Sequence, residues 1–283
     1  MVHPHSTLRT LAALVLLAAA AMVLASLGRW QLQRGDERRA IAAAIESGRE
    51  APPLVLNVGV EASALTAWRS AQASGRWLAD KTVLIDNRNH DGRPGYWVAT
   101  PLLLEASDGD VLRSSEKGGH APASRGIDQN AGAQAAAGHA VLVLRGWLPR
   151  VLGGDARPAA APPPEGIRRV QGELALRVPR LFELGGGQYS VLPTSWPKAG
   201  PAPLVQNLAL DDYAQATGLS LMPVVLQQLQ PADDGLVHQW PQPSTDYNQN
   251  RGYALQWFAF AAIAAGAFLV VMVRALRRRR QDA

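Results

Sequence analysis

Tyr253 to Val273 is a run of 21 residues without a formal charge, followed by Arg274 and then Arg277 to Arg280. As a helix it is roughly 31 Å long, about the thickness of a hydrocarbon core. A buried core helix seldom runs so far without charge and then stops at a basic block, so the stretch reads as a membrane span. Tyr253, Trp257 and Phe258 fall in its first turn, where amphipathic rings favour headgroup depth, and the arginines mark a cytoplasmic end. A second candidate lies near the other terminus. Leu11 to Leu27 is a 17-residue run, apolar apart from Ser26. It fits either a cleaved signal peptide, with small residues around Ala25, or an uncleaved anchor. The run is longer than a usual signal core. It also exits through Gly28-Arg29-Trp30, with a ring at headgroup depth and a snorkelling arginine, and both features favour the anchor.

These spans divide the chain into a cytoplasmic N-terminus (1–10), a first transmembrane helix (11–28), an extracytoplasmic domain (29–252), a second transmembrane helix (253–273) and a basic cytoplasmic tail (274–283). The expected location is the inner, cytoplasmic membrane, with both termini cytoplasmic and the central domain periplasmic. The charge supports this division. The pI is near 10, yet residues 29–252 contain as many acidic as basic residues, 22 of each. The whole net charge of +5 comes from Arg9, Arg274 and Arg277 to Arg280 against Asp282. The basicity therefore belongs to the membrane-flanking ends, which argues for membrane lipid as a partner and against nucleic acid.

The chain has no cysteine, which excludes disulfides, thiolate zinc sites, CxxC redox chemistry and covalent haem attachment through CxxCH. His90, His120 and His139 are scattered, with no partner at metal-ligand spacing. No GxSxG elbow, HExxH helix or P-loop occurs, so no enzymatic activity is expected.

The central domain reads as β-rich. Arg34 to Arg49 predicts a short linking helix ended by Pro52-Pro53. Strands are predicted over residues 70–77, 82–86, 96–104, 140–149, 169–174, 203–207 and 221–229, with a turn at Gly92-Arg93-Pro94-Gly95 and a further short extended piece at 189–192. Residues 210–216 predict one or two helical turns stopped at Gly218. Residues 105–138, poor in large apolar side chains, read as a disordered insertion, and 152–166 as an extended linker. The predicted fold is membrane α plus mainly β: two transmembrane helices flanking an extramembrane β-rich barrel- or sandwich-like domain.

Four segments in order carry a resemblance. Gly28-Arg29-Trp30-Gln31-Leu32-Gln33-Arg34 follows the first span. Asp86-Asn87-Arg88 precedes Gly95-Tyr96-Trp97-Val98-Ala99-Thr100-Pro101-Leu102. Then come Val141 to Pro149, containing Arg145-Gly146-Trp147, and finally Gly252-Tyr253-Ala254-Leu255-Gln256-Trp257-Phe258. Between two spans, this order resembles the surfeit-one family of cytochrome c oxidase assembly factors, over about residues 11–273 apart from the insertion. The resemblance implies a two-helix membrane protein without turnover chemistry. It also implies a role where haem a, held transiently, enters oxidase subunit I. The implied partners are cytochrome c oxidase subunit I and haem a synthase. A scaffold that contacts oxidase or haem a synthase subunits without binding a cofactor is the alternative.

In the family pattern a histidine, the proposed haem ligand, commonly stands three residues before the tyrosine of Tyr253-Ala254-Leu255-Gln256-Trp257. Here that position is Asn250, and an amide is a poor axial ligand for haem iron. His238 is the nearest substitute, although a solvated loop histidine is the simpler reading of it. The candidate cofactor-binding residues are Arg29, Trp30, His238, Arg251, Tyr253, Gln256 and Trp257. Trp30, Tyr253 and Trp257 are expected to cluster at the outer mouth of the helices, with Arg29 and Arg251 at the rim and Gln256 between the spans. Arg145 has two readings, a structural one beside Gly146 and Trp147 and a functional one as partner to a haem carboxylate.

Overall fold

The computed structural model describes residues 4–105, 139–150, 160–182, 192–194, 196–197, 200–231 and 233–281. The expected insertion (bar Glu105), most of the 189–192 segment and the first part of the linker lie outside the described residues. The chain forms two compact units, one of residues 1–43 with 242–283 and one of residues 44–241.

The first unit is a pair of helices. Helix α1 spans Pro4–Glu50, and α3, the last helix of the chain, spans Asn248–Gln281. Both are long and apolar enough to cross a membrane. The separate helix expected over 34–49 is instead the continuation of α1, which ends just before Pro52-Pro53. Glycine inside a helix costs about 1 kcal/mol relative to alanine, and α1 carries both Gly28 and Gly35 in its interior. Helix–helix contact opposes that cost. A Cβ on Gly28 would lie 2.8 Å from the Phe258 ring, and one on Gly35 would lie 3.4 Å from the Asn250 Cβ. These contacts place Gly28 against Phe258 and Gly35 against Asn250, so the helices run antiparallel.

Their seam has a heptad period. On α1, Leu14, Leu17, Ala21, Leu24, Gly28, Gln31, Gly35, Arg38 and Ala42 are all buried or half-buried, at alternating spacings of three and four. On α3, Asn250, Ala254, Trp257, Ala261, Ala264, Phe268, Val271 and Ala275 follow the same rule. This is the pattern of two helices wound left-handedly about each other. Outside the seam, Leu11, Val15, Leu16, Met22 and Val23 of α1 and Leu255, Phe260, Ile263, Leu269 and Val270 of α3 are exposed, as suits side chains solvated by lipid.

The second unit is built on eight strands: β1 Leu54–Leu56, β2 Ser70–Trp77, β3 Val83–His90, β4 Arg93–Leu104, β5 His139–Pro149, β6 Ile167–Ala175, β7 Leu204–Val205 and β8 Ser220–Gln228. They form one mixed sheet in the order β1-β2-β6-β8-β5-β4-β3-β7. The expected barrel or sandwich is therefore a single sheet. It does not close as a barrel, because β1 and β7 stand at its two edges. The sheet is curled enough for the end of β2 to pair also with β4, through Gly75↔Leu104, Arg76↔Leu103 and Trp77↔Leu102. Gly75 permits that approach, since a Cβ there would meet the Leu103 carbonyl oxygen at 2.0 Å. Three pairs are parallel, β1–β2, β3–β7 and β5–β8.

Strand β5 is the centre. Ala140 to Leu144 are fully buried, and their side chains serve two cores. Leu142 and Leu144 pack with Ile85, Trp97, Val225 and Tyr213, while Val141 and Val143 pack with Leu102, Val170, Leu174 and Leu226. A continuous apolar run is what a strand covered on both faces requires. The β3–β4 turn lies two residues earlier than predicted, at Asp91-Gly92 (φ 48° and 74°), the dipeptide suited to two left-handed positions in a hairpin. Helix α2, Leu210–Thr217, stops at Gly218 in the left-handed conformation (φ 71°), and its Tyr213 hydroxyl donates to the Lys81 carbonyl.

Candidate functional site

The polar feature of the helix pair is Asn250, which is only 7% exposed. Its side chain is used at both ends. The Asn250 carbonyl oxygen Oδ1 accepts from the Arg38 guanidinium at 2.9 Å, and its Nδ2 donates to Gln31 Oε1 at 2.8 Å. The same Arg38 nitrogen also donates to the Asp246 backbone carbonyl at 2.9 Å. Gln31 and Arg38 reach Asn250 because they occupy seam positions seven residues apart, on either side of Gly35. Sequence reasoning missed Gln31 and Arg38. The signal was the heptad spacing that Gly28, Gln31, Gly35 and Arg38 share.

One helical turn before Arg251, Tyr247 carries cations on its ring. The Arg39 guanidinium lies 5.9 Å from the ring centroid and that of Arg251 lies 5.6 Å from it. Both arginines are exposed, and among the described residues neither has an ion pair within 4.0 Å. Arg251 was expected at a rim; Arg39 was not foreseen.

The other predicted helix residues are distributed differently from expectation. Ala254 and Trp257 take the seam positions, so Gln256 is exposed rather than set between the helices, and Tyr253 is 46% exposed. Trp257 is half-buried and packs edge-to-face on Phe260 at 6.4 Å. Arg29 and Trp30 follow the seam residue Gly28, and Trp30 is 55% exposed. Among the described residues no ring contact joins Trp30 to Tyr253 or Trp257, so the expected aromatic cluster is not formed. The cause is the seam period, which turns positions 29, 30, 253 and 256 outward.

His238 belongs to the second unit and is not the solvated loop residue expected from sequence. Its side chain is buried, with Nε2 3.5 Å from Asp234 Oδ1 and neither ring nitrogen in a hydrogen bond. Asp234 is itself ion-paired to Arg145 at 2.9 Å, and Arg145 also donates to the Ala161 carbonyl at 3.0 Å. Burial lowers the Arg145 pKa, and the Asp234 charge opposes that shift. Arg145 is therefore occupied by a structural partner. Its neighbours are structural as well. Gly146 lies against Leu236 and Val237, and Trp147 is bridged to Val237 and donates its indole N–H to the Arg88 carbonyl at 2.7 Å. Arg88 stacks over Trp97 at 4.4 Å, and Arg150 donates to the Tyr96 hydroxyl at 3.0 Å while pairing with Asp86. The motifs of the central domain thus meet in its core as a packing network. Among the described residues no group of three His, Cys, Asp or Glu is placed to hold a metal ion.

A family model described as the SURF1 family, the surfeit-one family, matches residues 18–262. No curated protein matches the chain. The match covers most of the chain, which belongs to the SURF1 family, a family associated with cytochrome c oxidase assembly.

Proposed function

We propose that this chain, as a member of that family, serves oxidase assembly at the step where haem a enters subunit I. It acts as a membrane-held partner of subunit I and haem a synthase, without turnover chemistry of its own. The observation that carries the reading beyond family membership is the pair of exposed arginines around Tyr247, and the state of Asn250 limits how haem could be held. An amide is a poor iron ligand, since its nitrogen lone pair is delocalised, and this one is buried with Oδ1 accepting from Arg38 and Nδ2 donating to Gln31. Position 250 therefore does not fit as an axial ligand, and the residue serves instead to fix the register of the two helices.

The cations fit the other end of such a molecule. Haem a carries two carboxylates, and Arg39 and Arg251 place two exposed guanidinium groups around one tyrosine. In this reading those two arginines hold the carboxylates, the exposed Trp30 and Tyr253 supply apolar contact at headgroup depth, and the Gln31–Asn250–Arg38 network keeps the helix ends fixed. Both termini lie in the cytoplasm and residues 29–252 lie outside, so the arginine pair faces the outer surface of the membrane. A reporter fused after Ala283 is then active only in its cytosolic form.

The occupied amide also favours the alternative, a scaffold that binds no cofactor. The haem content of oxidase purified from a deletion strain tests the assembly step itself. The reading expects subunit I deficient in haem a and restored by the plasmid-borne gene. Oxidase with its full haem a complement in the deletion strain would refute it.

A further inference from the structure

The arginines at the C-terminal end of α3 are not used by the proposed function. Helix α3 continues without a break through Arg274, Arg277, Arg278, Arg279 and Arg280 to Gln281, and all five arginines are exposed. None of them has an ion pair within 4.0 Å among the described residues. At about 100° per residue, five arginines in seven positions surround the helix instead of lining one face. The antiparallel seam adds a sixth. Arg9 precedes Gly28 by the same number of residues by which Arg277 follows Phe258, and Gly28 and Phe258 are in contact. The helical rise therefore brings Arg9 and Arg277 to the same depth, roughly 29 Å from that contact, one hydrocarbon thickness away. Arg9 is exposed too.

We propose that these six arginines form a collar that binds the phosphates of anionic phospholipids in the leaflet at that end of the helix pair. Three properties select this partner. The collar lies where a span of this length meets the headgroups. Guanidinium groups engage phosphate through paired hydrogen bonds. The charge is confined to this end, since residues 29–252 are balanced. The collar draws a shell of anionic lipid around the helix pair and fixes its depth in the membrane. This inference rests on both helices spanning the bilayer and is independent of haem a.

The full-length protein, reconstituted in phosphatidylcholine vesicles, is tested with spin-labelled phosphatidylglycerol and spin-labelled phosphatidylcholine at trace level. The motionally restricted fraction of each label gives its relative association. The proposal expects about threefold selectivity for phosphatidylglycerol, reduced to near unity by 0.5 M salt. It expects the same loss in a variant with Arg277, Arg278, Arg279 and Arg280 all changed to Gln. Equal association of the two labels with the wild-type protein would overturn it, as would selectivity indifferent to salt. The salt series uses the wild-type protein alone, so the conclusion holds even if the variant does not fold. Failure of the protein to enter phosphatidylcholine vesicles would instead overturn the spanning of the bilayer. Selectivity for an added acidic peptide or oligonucleotide over the anionic lipid would show that the collar serves another partner.

Discussion

Replacing Asp234 with alanine should destabilise the β domain more than any surface change. The side chain is 7% exposed and its partner Arg145 2% exposed. Asp234 accepts from Arg145 at 2.9 Å, accepts from the Leu236 backbone N–H at 3.2 Å, and lies 3.5 Å from His238. Alanine removes all three contacts and leaves the buried guanidinium with the Ala161 carbonyl as its remaining hydrogen-bond acceptor. Breaking a buried pair on one side costs about 3–5 kcal/mol, a large part of the roughly 5–15 kcal/mol that holds a domain folded. Removing both charges is a different perturbation. Arg145→Met with Asp234→Leu leaves no uncompensated charge and should cost well under the sum of the two single changes. Six of the eight tryptophans lie in residues 44–241, so tryptophan fluorescence during urea unfolding in detergent reports mainly on this unit. The expected result is a midpoint lowered in Asp234→Ala at an unchanged denaturant slope, with much of the loss recovered in the double variant. A cost below about 1 kcal/mol for Asp234→Ala, or strict additivity in the double variant, would refute the argument.

The helix seam is open to a direct test because the chain has no native cysteine. Oxidation should cross-link Leu24→Cys with Ala261→Cys, both in the seam, and should leave Val23→Cys with Ala262→Cys unlinked, as a mobility shift on a gel would show. Alkaline unfolding tests a buried group. Burial raises the Tyr213 pKa above its ordinary 10.0, with the Asp80 charge adding to the shift. Above pH 10 the unfolded chain releases the Tyr213 proton and the native one keeps it, so this group lowers stability as pH rises, by about 1.4 kcal/mol per unit. Relative to wild type, Tyr213→Phe should therefore make the slope of stability against pH more positive above pH 10; an unchanged slope would show that the group does not titrate as described. Finally, β4 and β5 pair through Leu103↔Ala140, so a four-residue turn in place of residues 106–138 should leave the unfolding midpoint and oxidase assembly intact. Loss of assembly with an unchanged midpoint would assign that segment a partner.

Where one local pattern decides the structure, the sequence was readable. The apolar run Ala140 to Leu144 read as a strand, and Gly218 as the stop of a short helix, and the structure has both. The two apolar spans were legible for the same reason. What could not be read depends on contacts between distant residues. The parallel pairing of β5 with β8 and the return of β2 to β4 involve strands far apart in sequence, and no periodicity encodes them. The helix end shows the difference most clearly. Gln256 looked like an interior residue because it is polar within a span, but its neighbours Ala254 and Trp257 hold the seam and turn it outward. Arg38 fell inside the predicted linking helix 34–49 with no role assigned to it. Its role emerges only when α3 is laid against α1 and Asn250 becomes its acceptor. Arg145 was undecided between core and ligand until Asp234, far along the chain, proved to be its partner.

The proposal that the helix pair holds haem a through Arg39 and Arg251, and not through position 250, is open to one direct measurement. The Soret absorbance of the protein, purified after co-expression with haem a synthesis, measures this directly in the wild type, in Asn250→Ala and in Arg39→Ala with Arg251→Ala. The account predicts that Asn250→Ala retains haem close to the wild-type level and that the double arginine variant loses most of it. A wild type without a Soret band, or haem lost with Asn250 and kept without the two arginines, would contradict it.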